Sequence, residues 1–288
     1  MNEAPLHAVN SGRMTILSKS YRSNNSYFFD GLNIYINGVI NWRIWFYMGW
    51  SETKRRYRRT LIGPFWVTLS IAIFVGCIGI IFPRLWHIDP KTYLPFFASG
   101  YITWIFISSI ITEACGTFVD SMWLIKQTTL SYAIYANNVV TRNVIVLFHH
   151  FLVYFIIMLC FAVPITSSTL LFLPGMMILC LTSSWFCILL GLFACRFRDI
   201  KQLVASLLQI SMFVTPIFWS PAQLGASKVQ LLVTINPLYH FIQIVRAPLL
   251  GQPPTLTDWG FAISICVVGW FMTLYLLGKY KKHLVFWL

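Results

Sequence analysis

Residues 54–82 read KRRYRRTLIGPFWVTLSIAIFVGCIGIIF. Five cations fall in six positions, 54–59, and residues 61–82 then carry no charge at all. A helix rises about 1.5 Å per residue, so about 20 apolar residues cross the hydrocarbon core of a bilayer. Backbone N–H and C=O groups have no water to bond there, so such a run must be helical. Pro64 stands at its start, where a missing N–H costs little. Residues 61–82 therefore predict a transmembrane helix with a band of cations at its mouth.

Five further runs qualify, at 94–118, 139–163, 171–195, 203–219 and 259–278. The fifth is the least regular, because Pro216 sits near its end. The predicted fold is an all-α integral membrane protein with six transmembrane helices. Composition agrees: 58% of residues are hydrophobic and 10% charged, against about 25% charged in soluble domains. The net charge of +13 does not indicate nucleic acid, because the cations cluster beside apolar runs, where they face anionic lipid. The seven cysteines lie in or beside apolar runs with no Cys-x-x-Cys pair, and read as small buried hydrophobes. The first thirty residues are polar and lack a signal-peptide core, so the first apolar run is expected to direct membrane insertion.

Short basic loops set orientation. With six spans and the N-terminus inside, 17 of the 21 Lys and Arg fall on the cytosolic side, leaving Arg84, Lys91, Lys228 and Arg246 outside. Both termini are expected in the cytosol, with the chain multi-pass in the cytoplasmic (inner) membrane. Three regions follow: a polar segment at 1–32, an amphipathic interface helix with the basic cluster at 33–60, and the six-span domain at 61–288. The stretch 33–50, NIYINGVINWRIWFYMGW, is apolar but broken by Asn37, Gly38, Asn41 and Arg43, which suits a helix lying in the interface plane. Residues 221–252 hold apolar runs too short for two crossings, broken by Gly225 and Asn236-Pro237. They read either as a re-entrant helical hairpin between spans five and six, packed on protein, or as an external loop lying on the bilayer.

Several polar positions invite attention. The cluster Lys54, Arg55, Arg56, Arg58 and Arg59 either anchors to anionic headgroups or meets a phosphate-bearing substrate, for which arginine offers bidentate contact. Glu113 lies in the inner part of the second span, where a carboxylate is costly and is a functional candidate by default; pairing with an arginine near the first span, lining a conduit, or protonation all remain open. His149 and His150 point about 100° apart on a helix and read as hydrogen-bonded neutral histidines. Arg246 either meets a phosphate or sugar or anchors at the outer interface. Trp66, Phe74, Trp104, Phe213, Phe218 and Trp219 are candidates to line a conduit for a glycan, although interfacial belts also use such residues.

The run Lys-x-Arg-Tyr-Arg-Arg-Thr-x-x-Gly-Pro-x-Trp at 54–66 resembles the permease subunits of type-2 ABC exporters, in particular their polysaccharide and polyol-phosphate branch (O-antigen, teichoic acid and capsule exporters). Further matches are Phe197-Arg198-Asp199-Ile200, Thr215 to Pro221 (TPIFWSP), and Asn236 to Gly251 with its NPLYH and VRAPLLG runs, the last being most similar to O-antigen permeases. The resemblance extends from about residue 33 to the C-terminus. It implies two copies of this chain with two copies of a cytosolic ATP-binding subunit, ATP and Mg²⁺ on that partner, and no cofactor or metal on this chain. It implies a lipid-linked polysaccharide as cargo. It also implies that 120–136 docks on the ATPase through Met122, Leu124, Ile125 and Lys126; a helix touching only lipid is the alternative. The turn at Arg198 and Asp199 is a further candidate contact, or else a local ion pair worth about 0–1 kcal/mol.

No Gly-x-x-x-x-Gly-Lys-Ser/Thr loop occurs, no nucleophile–base set is evident, and the eight acidic residues offer no carboxylate pair for sugar transfer. The expected role is a non-enzymatic permease powered by a separate ATPase. Two alternatives stand beside it: the same fold with a drug, lipid or small cargo, and a membrane-embedded glycosyl- or phosphotransferase.

Overall fold

The computed structural model describes residues 24–58, 63, 65–221 and 233–288. Among these every regular element is helical. In chain order they are α1 (Asn24–Ile40), α2 (Trp42–Tyr57), α3 (Phe65–Trp86), α4 (Pro90–Ala114), α5 (Met122–Gln127), α6 (Tyr132–Cys160), a 3₁₀ turn (Ser167–Leu171) leading into α7 (Phe172–Arg196), α8 (Ile200–Val214), α9 (Pro237–Leu249) and α10 (Leu256–Trp287). Five helical segments, α3, α4, α6, the 3₁₀ turn with α7, and α10, are long and apolar enough to cross a membrane. The chain is an all-α integral membrane protein.

The fifth predicted span differs from the rest. Helix α8 has only 15 residues, short of the length a full crossing requires. Thr215, immediately before Pro216, is extended at φ −80°, ψ 135°, in keeping with the bias of a following proline against the helical conformation. Residues 215–219 continue as non-helical chain.

Helices α4, α6 and α7 make mutual contacts at the centre of the bundle. Buried positions make up 61% of the apolar window of α4 and 67% of that of α7, but only 17% of α3, so α3 presents most of its surface to lipid or to another chain. Helix α10 packs on α7, and α1 runs along α10. That last contact depends on two glycines. A Cβ on Gly31 would lie 1.9 Å from the Leu274 carbonyl oxygen, and one on Gly278 would lie 1.9 Å from that of Tyr27; no side chain fits either approach.

The bounds of the N-terminal elements also differ from the sequence reading. Helix α1 begins at Asn24, inside the segment read as polar, and a break at Asn41 divides the interface element into α1 and α2. The last ten residues, beyond the sixth predicted run, are almost wholly a continuation of α10. Leu284 is fully buried and Lys281 pairs with Asp30 of α1 at 3.2 Å. Helix α2 turns Gly49 and Thr53 towards α6 and leaves Trp42, Phe46, Tyr47 and Trp50 exposed. Residues 222–232 lie outside the described residues, but α9 does not lie on the surface: it packs on α4, α7 and α10 and buries Phe241, Ile242, Ile244 and Val245.

Candidate translocation and coupling site

At the basic end of the bundle, α2, α4 and α6 meet through charge. Glu113, in the last turn of α4, accepts three hydrogen bonds on Oε2, from Arg142 Nε (3.1 Å), Arg142 Nη2 (2.8 Å) and Asn143 Nδ2 (2.7 Å). Its Oε1 accepts one, from Arg56 Nη2 at 3.2 Å. Arg142 Nη1 also donates to Glu52 Oε2, and Asn138 Nδ2 donates to Glu52 Oε1 at 3.2 Å. Two guanidiniums thus neutralise two carboxylates across three helices. The Arg142 side chain is 17% exposed and that of Glu113 23%, whereas that of Arg56 is 49% exposed. Of the open readings of Glu113, the structure shows the arginine pair. Arg142, Glu52, Asn138 and Asn143 were not singled out from sequence; Arg142 and Asn143 on α6 and Glu52 on α2 are adjacent only in space.

Arg55, Arg56 and Arg58 are all exposed beside this network, and Arg59 lies outside the described residues. Lys54, Arg55 and Arg58 make no ion pair among the described residues. A second polar link joins the interface helix to the bundle: Ser184 Oγ donates to Asn137 Oδ1 at 2.7 Å, and the Tyr35 hydroxyl lies 3.3 Å from Ser184 Oγ. Burial pushes the Tyr35 phenol above its ordinary pKa, outweighing that hydrogen bond, so it stays neutral.

The connection between α4 and α6 contains α5. Ile125 points inward at 7% exposure, while Met122, Trp123 and Lys126 face outward and Leu124 is intermediate. Trp123, at 63% exposed, is the largest outward group of this helix and was not among the sequence candidates. Arg198 and Asp199 are exposed on the turn into α8, and Asp199 makes no ion pair and no side-chain cap bond among the described residues.

An aromatic ladder joins α3, α4 and the chain after Pro216. Phe74 stacks on Tyr101 at 4.6 Å between centroids, Tyr101 on Phe97 at 5.4 Å, and Phe97 on Phe218 at 5.4 Å. Phe218 reaches Phe213 of α8 at 6.3 Å, and Trp219 Nε1 donates to the Phe213 carbonyl at 3.3 Å. The Tyr93 hydroxyl donates to the Phe218 carbonyl at 2.9 Å, holding the non-helical segment against α4. Four of the six sequence candidates, Phe74, Phe213, Phe218 and Trp219, therefore come together. Trp104 is buried in the core at 3% exposure, and Trp66 stands exposed near the start of α3; neither belongs to the ladder. Tyr93, Phe97 and Tyr101 were missed, although their spacing of four places them on one face of a helix.

At the opposite end, Arg246 of α9 is 1% exposed. Nη1 donates to the Pro216 carbonyl at 2.8 Å, Nε and Nη2 donate to Gln243 Oε1 at 3.1 and 2.8 Å, and the guanidinium lies 4.2 Å from the Phe96 ring centroid. No carboxylate pairs with it among the described residues. It bridges α9, α4 and the end of the fifth segment, beside a cavity of about 630 Å³ that Lys91, Tyr239 and Gln252 also line. Next to it, His240 Nδ1 lies 2.7 Å from Asp258 Oδ1 and Nε2 lies 2.8 Å from the Thr234 carbonyl, fastening α9 to the first turn of α10. Of the paired histidines on α6, His149 Nδ1 meets the Ile145 carbonyl at 2.8 Å, whereas the buried ring of His150 has no hydrogen-bond partner among the described residues. No group of three His, Cys, Asp or Glu fit to hold a metal occurs among the described residues.

A bundle of crossing-length helices, with an ion network binding α2 to two of them, defines a multi-pass membrane protein. The family model for ABC-2 type transporters matches residues 43–250, over two thirds of the chain, and the chain belongs to that family. It is a permease subunit of an ABC transporter, and family membership implies association with an ATP-binding subunit. A comparison with curated proteins finds no match.

Proposed function

We propose that this chain is the permease of an exporter for a lipid-linked, O-antigen-like polysaccharide in the cytoplasmic membrane. The basic end faces the cytosol and carries both termini. Two copies form the conduit, and two copies of a separate subunit supply ATP, Mg²⁺ and hydrolysis. The observation that carries this reading is the open end of the aromatic ladder, Phe213 with the half-buried Trp219 beside it, backed by the buried rings of Phe218 and Phe97. Flat π-faces hold the C–H faces of sugar rings without the strong hydrogen bonds that would arrest a sliding polymer. The ladder ends at Phe213, which is 65% exposed on α8, and α3 and α8, the helices flanking α4 there, are left largely uncovered. A second copy set against that face would close the conduit over Phe74, Phe213, Phe218 and Trp219, with Trp66 at the entry.

In this scheme Arg55, Arg56, Arg58 and Arg59 receive a diphosphate headgroup. Met122, Leu124, Lys126, Arg198 and Asp199 pass ATPase movement to α4, α6, α7 and α8, with Ile125 seating the coupling helix. Helix α9 is one arm of a re-entrant hairpin at the exit, and its burial supports that reading over an external loop. Arg246 then braces the exit from within. A strain lacking this protein is expected to accumulate finished polymer inside the cell; normal surface polymer in that strain contradicts the proposal.

A second reading keeps the fold and changes the cargo to a lipid or a drug. The aliphatic stripe Leu203, Leu207 and Ile210, exposed along α8, favours it. Stimulation of the partner ATPase by lipid-linked glycan, with the glycan chemically unchanged, separates the first reading from this one and from a transferase.

A further inference from the structure

We propose that Glu113 is a built-in stand-in for the cargo's anion: it holds Arg56 until an incoming phosphate group takes that guanidinium away. The inference rests on the phosphate-bearing cargo proposed above and adds the residue that reads its charge.

The two oxygens of Glu113 are held differently. Oε2 is fixed by three N–H donors, all from α6, at 2.7–3.1 Å. Among the described residues Oε1 has only Arg56, by one contact at 3.2 Å. Withdrawing Arg56 therefore leaves Glu113 in place, still hydrogen-bonded to Arg142 and Asn143. Withdrawing Arg142 would loosen two carboxylates at once, since it also holds Glu52. The pair is asymmetric by design of its surroundings: Arg142 is a strut and Arg56 is exchangeable. Exposure agrees, at 49% for the Arg56 side chain against 17% for Arg142.

Arg56 is thus a cation presented to solvent whose engagement alters an internal contact. Lys54, Arg55 and Arg58 attract an anion over a distance but hold nothing else among the described residues. A phosphate or diphosphate offers more charge than one carboxylate and accepts a guanidinium bidentately, so it outcompetes a single 3.2 Å contact. A neutral lipid does not. Release acts at a defined place: Arg56 lies in the last turn of α2, directly before the chain enters α3. Glu52, one turn earlier, stays tied to α6 through Arg142. Cargo binding would free the end of α2 that leads into the first span while the rest of α2 stays docked.

The test measures binding of a polyprenyl diphosphate, with the uncharged polyprenol of equal length as control, to the permease–ATPase complex in nanodiscs. Glu113→Gln is expected to bind the diphosphate about three- to tenfold tighter than wild type, since a competing ion pair of this exposure is weak. Arg56→Gln is expected to bind it about tenfold more weakly, and the double variant to match Arg56→Gln, because Glu113 acts only through Arg56. The polyprenol should discriminate none of them. If Glu113→Gln does not assemble, Glu113→Asp serves: it keeps the charge opposite Arg142, shortens the reach to Arg56, and is expected to tighten binding in the same direction. Glu113→Gln or Glu113→Asp binding no tighter than wild type, with Arg56→Gln still weak, overturns the competition and leaves the cargo reading standing. Wild-type affinity in Arg56→Gln overturns this proposal alone. Absence of diphosphate binding in wild type and every variant overturns both.

Discussion

Arg142 is the side chain on which most of the inner network depends. Its guanidinium bridges Glu52 of α2 and Glu113 of α4, and removing it takes the ion-pair partner from Glu52 and leaves Glu113 only its exposed contact with Arg56 and the amide of Asn143. Arg142→Ala is expected to lower stability by about 2–4 kcal/mol, read as a fall in the thermal midpoint of the purified permease; Arg56→Ala, at the exposed edge, should shift it by less than about 1 kcal/mol. Arg246 gives a second case. Its fork bonds the Pro216 carbonyl and Gln243 while lying over Phe96, and lysine cannot reproduce the planar fork. Arg246→Lys is therefore expected to destabilise the permease nearly as much as Arg246→Met, by about 2–4 kcal/mol; full stability of Arg246→Lys would show that charge alone suffices. At this scale the sequence was partly legible. Glu113 stood out because a carboxylate in a span is costly, but its partners did not. Arg142 looked like one more basic residue at a span's edge, and only helix rotation decides that it points inward. Arg246 showed its charge, and its burial follows from contacts between segments about 30 and 150 residues apart.

At the scale of elements, α5 is a short helix with one buried anchor and an outward face. Trp123→Ala with Lys126→Ala is expected to weaken association with the ATP-binding subunit at least tenfold, measured by co-purification, while leaving the permease folded. Ile125→Ala should act instead on the permease, by the cavity left under the helix, about 2–4 kcal/mol. Equal ATPase association in the outward variant would place docking elsewhere, with the turn at Arg198 and Asp199 the next to probe. The crossing of α1 and α10 offers a sharper steric test. Gly278→Leu places side-chain atoms where the Tyr27 carbonyl lies, so α1 should detach and become susceptible to limited proteolysis; a protected α1 in that variant would contradict the packing. Long apolar runs made the crossing helices legible, because lipid leaves no alternative to a helix. The 15-residue α8 was read as longer: hydropathy continues through Phe218 and Trp219 while Pro216 has already ended the helix. Helix α1 was read as starting too late, since its burial comes from glycine contacts with α10 that carry no hydropathy signal.

For the whole molecule, the sparing burial of α3 and the exposed face of α8 are the surfaces that lipid or another chain must cover. In the proposed dimer these faces close over the aromatic ladder. Cysteines placed at Leu69 and Leu207, both exposed, are expected to be shielded from a bulky membrane-permeant thiol reagent in the assembled transporter, unlike a cysteine at Phe155 on the outer face of α6. Equal labelling of all three would remove the dimer from that face. The permease class was legible from motif order along six apolar runs, and family membership agrees with it. The proposed conduit was legible only as aromatic content: the exposed Phe213 and half-buried Phe74 were separable from the buried Trp104 only once helix rotation was known. The proposed export role is tested most directly by reconstituting this chain into vesicles with and without its ATP-binding subunit, and following a polyprenyl-diphosphate-linked glycan across the bilayer. Glycan reaching the far side unmodified, only with ATP and only with both subunits present, is the expected result; ATP hydrolysis or sugar modification by this chain alone would contradict it.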